Sequence, residues 1–151
     1  MLTSISNYSG IVTPASVGLS GQEYDDFIKA AIERAYLRLR KTVPESTYND
    51  AVAAIAGGVA SPDQLELKWS EYWLTRYEIE TGRNDLDVAS ERAGNLEIRK
   101  DINGSRLMAS RFLNKALGHL REAGFELTGG DGFAGTRGGD PLPSAEPWFR
   151  G

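Results

Sequence analysis

The chain contains no cysteine, one histidine and two methionines in 151 residues. The lack of cysteine excludes disulfides, thiolate catalysis and cysteine-ligated zinc. It fits a chain made in a reducing cytoplasm. A single histidine, His119, has no second imidazole with which to complete a metal site or proton relay, although carboxylates alone can hold a hard cation. No run of eighteen apolar residues occurs, so no membrane span is expected. The first ten residues hold no basic stretch followed by an apolar block, so a secretory signal is not expected. A strong basic balance is also missing. Seventeen Lys and Arg against twenty-one Asp and Glu give a net charge of −4, which argues against a nonspecific nucleic-acid binder while leaving room for a local basic patch.

Enzyme motifs are equally scarce. The glycine-rich tracts Gly129-Gly-Asp-Gly-Phe-Ala-Gly135 and Thr136-Arg-Gly-Gly-Asp140 are followed by no Gly-Lys-Ser/Thr, so they are not a phosphate-binding loop. Glu66, Glu71, Glu78 and Glu80 include no Glu-x-x-His pair, so a di-iron bundle is unsupported. No serine stands in a nucleophile elbow. We expect no enzyme, no cofactor and no metal.

What the chain does contain is helical periodicity on 40% apolar residues, enough for a core in one ordinary domain. The segment Ser61–Gly82 organises the rest. Ser61 reads as an N-cap, Pro62 suits the first helical position and Gln64 is placed to reach back, a capping box. Gly82 is expected to end this helix in the left-handed conformation. Leu65, Trp69, Tyr72, Trp73, Arg76 and Ile79 share one face at spacings of three and four. This aromatic face is expected to form the core, with a ligand-binding aromatic box as the alternative.

Around it, Ser20–Glu23 forms a capping-box pattern ahead of a stripe of Tyr24, Phe27, Ile28, Ala31, Ile32, Ala35, Tyr36 and Leu39, predicting a helix to about Lys41. Acidic residues open it and basic residues close it, the order a helix dipole favours. Thr42–Glu45 is a second such pattern, before a short helix of about 45–56 ended by Gly57-Gly58. Residues 95–104 are ambiguous. Asn103-Gly104 is a strong turn signal, either a hairpin tip or, as read here, the break before a last helix from Ser105 to Ala123. Gly124 ends that helix.

The fold class expected is therefore all-α, an antiparallel bundle of about four helices over 20–123. Residues 1–19 read as an extended N-terminal arm lying on the body or on a neighbour, with a frayed terminus as the alternative. Residues 124–151 form a Gly/Pro-rich tail with seven glycines between 124 and 139. That tail cannot make a core by itself. It finishes in Pro147, Trp148, Phe149 and Arg150, residue types favoured at interface hot spots, so these four are candidate partner-binding residues. A second candidate surface is the basic segment 99–121. There Arg99, Lys100, Arg106, Arg111 and Lys115 could face DNA phosphates or an acidic partner, or form an ordinary solvated face.

The order of elements resembles the head–tail adaptor (connector) proteins of tailed bacteriophages. The parts that carry the resemblance are Tyr24–Leu39, Leu65–Tyr77 and the tail through Trp148-Phe149-Arg150. It implies a structural virion protein of the neck, made in the host cytoplasm, that forms a homo-oligomeric ring, usually of twelve copies. Such a ring docks on the portal protein, extends the DNA channel without sequence-specific DNA binding, and receives the next neck or tail protein. By position, residues 140–151 would anchor to the portal. Two other classes stay open: a helical DNA-binding or regulatory protein using 99–121, and a cytoplasmic scaffold or chaperone whose tail recruits one partner.

Overall fold

The computed structural model describes the backbone of residues 1–92 and 98–126, and the side chains of that set outside residues 84–105. A 3-10 turn at Ile5–Asn7 leads into five helices: α1 (Pro14–Val17), α2 (Gly21–Arg40), α3 (Glu45–Ala56), α4 (Pro62–Arg92) and α5 (Ile98–Glu122). The architecture is an all-α bundle, with no strand among the described residues. α4 is its axis. α5 runs antiparallel beside it, pairing Glu66 with His119, Ser70 with Ala116 and Trp73 with Phe112. α2 lies on another side of α4, where Phe27 meets Gly82 and Arg34 and Arg38 meet Glu78.

The capping box that opens α4 is formed. The Ser61 N–H donates to Gln64 Oε1 at 2.8 Å, and the Gln64 N–H donates to Ser61 Oγ at 3.2 Å. The two similar patterns upstream are not. Ser20 precedes α2 without a side-chain cap bond, and the N-cap of α3 is Pro44, two residues beyond Thr42. The end of α5 follows the expected chemistry. Gly124 adopts a φ of 96°, and the N–H groups of Gly124 and Phe125 return to the carbonyls of Arg121 and Leu120, a Schellman closure that folds Phe125 onto the core.

Two helix boundaries differ from expectation. Gly82 does not end α4, which continues to Arg92. Its glycine serves approach instead of termination: a Cβ there would stand 2.9 Å from Phe27 Cε1, so the ring of α2 occupies the space a side chain would take. Nor does Asn103-Gly104 break the chain, since α5 is already helical from Ile98. A helical glycine costs about 1 kcal/mol. Each large apolar side chain that α5 buries, among them Phe112, Leu113 and Leu120, contributes about 1.5–3 kcal/mol. A helix already nucleated by that packing propagates backwards without paying nucleation again.

The first nineteen residues are not an extended arm. Their apolar residues Leu2, Tyr8, Val12 and Val17 are buried, and Tyr8, Val12 and Val17 complete a cluster with Tyr24, Ile28, Ala31, Ile32 and Ile79. Local polar groups bend the chain into compact turns: Ser4 N–H donates to Asn7 Oδ1 at 2.8 Å, and Thr13 Oγ1 accepts from Ser16 N–H at 3.3 Å at the start of α1. The Tyr24 hydroxyl then donates to the Val12 carbonyl at 2.5 Å, tying the segment to α2. The second cluster joins Leu39, Val43, Tyr48, Leu67, Leu74, Leu113 and Leu120 from α2 to α5.

The close approach at Gly82 is testable. Gly82→Leu should lower the unfolding free energy by about 1–3 kcal/mol in chemical denaturation, the usual cost of overpacking. The penalty should shrink in a Phe27→Ala background, because the obstructing ring is gone.

Candidate functional site

The buried stripe of α4 is Leu67, Ser70, Glu71, Leu74, Thr75, Glu78 and Ile79. This corrects the expected core face by a rotation of the helix. Trp69 is 45% exposed and Leu65 42%, whereas Glu71 is fully buried and Glu78 nearly so. A buried carboxylate needs donors or a countercharge, and each of these has found them on a different element.

Glu78 lies between two arginines of α2. Arg34 Nε stands 3.0 Å from Oε1 and Arg38 Nε 2.6 Å from Oε2. Both guanidinium groups reach water, which lowers the cost of holding the charges there. Glu71 is held by uncharged donors. The N–H and hydroxyl of Thr3 both donate to its Oε2 at 2.8 Å, and the Tyr48 hydroxyl of α3 donates to Oε1. The Leu2 N–H donates to the Tyr48 oxygen at 2.9 Å, and the Tyr8 hydroxyl donates to Thr3 Oγ1 at 2.8 Å. Burial pushes the Glu71 carboxyl above its ordinary range. The hydrogen bonds from Tyr48 and Thr3, and the α-ammonium of Met1, pull it partly back. Burial, reinforced by the Glu71 charge, also raises the Tyr48 and Tyr8 phenols far above their usual range. This node locks the N-terminus, α3 and α4 together.

The opposite side of α4 carries an aromatic shelf. Tyr72 stacks on Tyr8, with ring centroids 5.2 Å apart, and takes the edges of Trp69 and Trp73. Trp73 stacks on Phe112 of α5 at 5.5 Å. Two cations lie on these rings: Lys115 Nζ is 4.3 Å from the Trp73 centroid and the Arg76 guanidinium 4.5 Å from that of Phe112. Arg76 Nη1 also donates to the Tyr72 hydroxyl at 3.2 Å, while its buried Nε has no hydrogen-bond partner. Such a surface suits an amphipathic, anionic group better than a neutral one.

No family model, curated protein or solved structure matches the chain. The site is therefore read from its residues.

Of the sequence candidates, Lys115 is brought to the shelf, and Arg111 is exposed beside Phe112. Arg106 is exposed one and a half turns earlier on α5. The backbone of Arg99 and Lys100 belongs to α5, but their side chains, like the whole of Pro147, Trp148, Phe149 and Arg150, lie outside the described residues. His119 is not an isolated surface group, since its Nδ1 is 2.5 Å from Glu66 Oε2. Sequence reasoning missed Thr3, Tyr48 and Glu71 as a unit. One signal was present: Glu71 and Glu78 are seven residues apart and interleaved with Leu67 and Leu74, so all four share a stripe. Among the described residues no group of three or more His, Asp or Glu is placed to hold a metal, and no helix is long and apolar enough to cross a membrane.

The raised Glu71 carboxyl has a definite pH consequence. In the folded protein it holds its proton to higher pH than in the unfolded chain, whose value is near 4.5. The folded state thus binds more protons in the window just above 4.5, and the stability contributed by Glu71 falls as pH rises through it. Glu71→Gln should remove that falling component, seen by comparing denaturation midpoints of the two proteins from acid to neutral pH. Glu71→Ala, which strands the Thr3 and Tyr48 donors, should cost about 1–3 kcal/mol. It should also speed hydrogen exchange at the Leu2 and Thr3 amides more than elsewhere.

Proposed function

We propose that the chain is a head–tail adaptor of a tailed bacteriophage, a structural subunit that assembles into a ring on the portal. The observation that carries this reading is the distribution of apolar surface on α4 and α5. Leu65, Trp69, Leu107 and Met108 are exposed on the two longest helices, while α4 buries two carboxylates inside. Isolated exposed apolar residues are ordinary. Exposed Trp69, in contact with half-buried Tyr72, which in turn meets half-buried Trp73, makes an aromatic surface of the kind that marks association.

The order of helices supports an adaptor as the kind of assembly. A capped helix, a short alanine-rich helix, an aromatic helix and a long last helix follow one another as in the connector proteins that the sequence resembles. Within the reading, the ring sits in the neck of the virion, passes DNA through its channel without sequence-specific contact, and offers surfaces to the portal and to the next neck or tail protein. Residues 140–151, with Pro147, Trp148, Phe149 and Arg150, supply the portal anchor. The competing reading, DNA binding through 99–121, is weakened by the engagement of His119 with Glu66 within the fold.

Light scattering of the purified protein, alone and with a candidate portal ring, tests the reading. A ring-sized species or a stoichiometric portal complex is expected. A monomer that ignores the portal and binds DNA at low salt would replace the proposal with the DNA-binding alternative. Truncation after Gly139 should leave helical content and melting unchanged while abolishing portal binding. Undiminished binding by the truncated chain would remove the anchor from the proposal.

A further inference from the structure

We infer that residues 2–8 form a strap that opens from the folded bundle as one unit, with Glu71 as its single catch. The backbone of this segment bonds only locally. The N–H groups of Asn7, Tyr8 and Ser9 return to the carbonyls of Ser4 and Ile5, and those of Ile11 and Val12 to Tyr8. Among the described residues no backbone–backbone hydrogen bond joins it to any of the five helices. The hydrogen bonds that do leave it all converge on one carboxylate. The Thr3 N–H and hydroxyl donate to Glu71 Oε2 directly, at 2.8 Å. The Leu2 N–H is linked to it through the Tyr48 hydroxyl, and the Tyr8 hydroxyl through Thr3 Oγ1.

The bundle does not need the strap for its core. Leu2 adds one side chain to the cluster of Leu39, Leu67, Leu74 and Leu120. Tyr8 adds one to the cluster of Ile28, Ile32 and Ile79, with Ile5 packed against it. Ser4, Ser6 and Asn7 are exposed. Both clusters therefore persist when the strap is out, as a locally opening unit requires. Two groups beneath it also gain from opening. Burial holds the Glu71 carboxyl above its ordinary range, and contact with water relieves that cost. Thr75 Oγ1, beside Tyr8, is buried with no hydrogen-bond partner, an expensive state for a hydroxyl. The chain has a place to bend just beyond the strap. Ser9, Gly10 and Ile11 are exposed, whereas Val12 is held to α2 by the Tyr24 hydroxyl.

Opening changes the outside of the molecule. The Tyr8 ring lies on that of Tyr72, with centroids 5.2 Å apart and planes at 10°, and Tyr72 meets the exposed Trp69. With Tyr8 withdrawn, the covered face of Tyr72 joins Trp69 on the surface. A molecule that binds this enlarged face holds the strap open, to the extent that it prefers the open form.

Amide hydrogen exchange in the full chain tests this. The amides of Leu2, Thr3 and Tyr8 should exchange at a common rate, about tenfold or more faster than those of Leu74 and Leu113. Tyr8→Phe removes the bond to Thr3 Oγ1 and keeps the ring, and Thr3→Val removes the hydroxyl and keeps the shape. Circular dichroism checks that the helices persist in both. Tyr8→Phe should speed exchange at Leu2 and Thr3 as much as at Tyr8, by about three- to tenfold, the usual weight of one hydrogen bond. Thr3→Val should likewise speed exchange at Tyr8. Acceleration confined to the neighbours of the changed residue would overturn the inference, because a fraying terminus opens residue by residue. Exchange of all three amides at the rate of Leu74 and Leu113 would overturn it as well, since the strap would then leave only on global unfolding. So would Leu2 and Thr3 amides without protection, which would mean that the strap is not closed at rest.

Discussion

Two carboxylates buried on one stripe of α4 impose the constraint on which the rest of the fold depends. Glu71 and Glu78 are two helical turns apart, and neither can be buried without a dedicated set of donors. Those donors come from everything that packs around α4 except α5: Thr3 from the N-terminus, Tyr48 from α3, and Arg34 and Arg38 from α2. Apolar contact alone would let these elements slide or rotate against α4, since Leu, Ile and Val tolerate many registers. A carboxylate that loses a hydrogen-bond partner in the interior costs about 1–3 kcal/mol, or more because it is charged. Wrong registers are therefore penalised in steps of that size, and one docking arrangement stands apart from its neighbours.

The pairs divide the work according to solvent. Arg34 and Arg38 partly reach water, so the Glu78 cluster keeps full charges where they are least expensive to hold. Glu71 sits deeper, and its partners are neutral hydroxyls and one backbone N–H. Burial raises its carboxyl, and three hydrogen bonds offset part of that rise. Breaking this node would release more than one interaction, because Tyr8, Leu2 and Tyr48 are linked to it through Thr3 and the shared phenol oxygen. The first residues of the chain are thus part of the core, although their composition of Ser, Thr and Gly suggests an arm.

The helices were legible in the sequence because capping and period are local. Ser61 with Gln64, Gly124 and the 45–56 segment needed no knowledge of neighbours. What sequence could not supply was context. Gly82 has the chemistry of a helix end, and only the presence of the Phe27 ring turns it into a point of approach. Asn103-Gly104 has the chemistry of a turn, and the packing of α5 on α4 overrides it. Trp69 and Leu65 look like core by size, yet Leu67 and Leu74 hold that place with the carboxylates between them. Residue type alone assigns glutamate to solvent. The decision here was made by donors as far away in sequence as Thr3 and Arg34. Lys115 was legible as part of a basic segment but not as a cation seated on Trp73, since that contact crosses from α5 to α4.

The consequence of the rotation is an inversion that bears on assembly. With its polar specificity turned inward, α4 leaves Trp69, Tyr72 and Trp73 towards the outside, backed by the buried ring of Phe112 and bordered by Arg76 and Lys115. A chain selected only for a stable monomer would gain by the opposite arrangement, since burying a large aromatic contributes about 1.5–3 kcal/mol whereas a buried ion pair is often no better than neutral. The arrangement becomes favourable when the exposed aromatics are covered by another molecule. The inward carboxylates keep the helix from rotating its aromatic face back into the core before that happens. On this argument the Glu71 and Glu78 clusters serve the surface as much as the interior: they hold an aromatic face in a fixed orientation on a packed pair of helices.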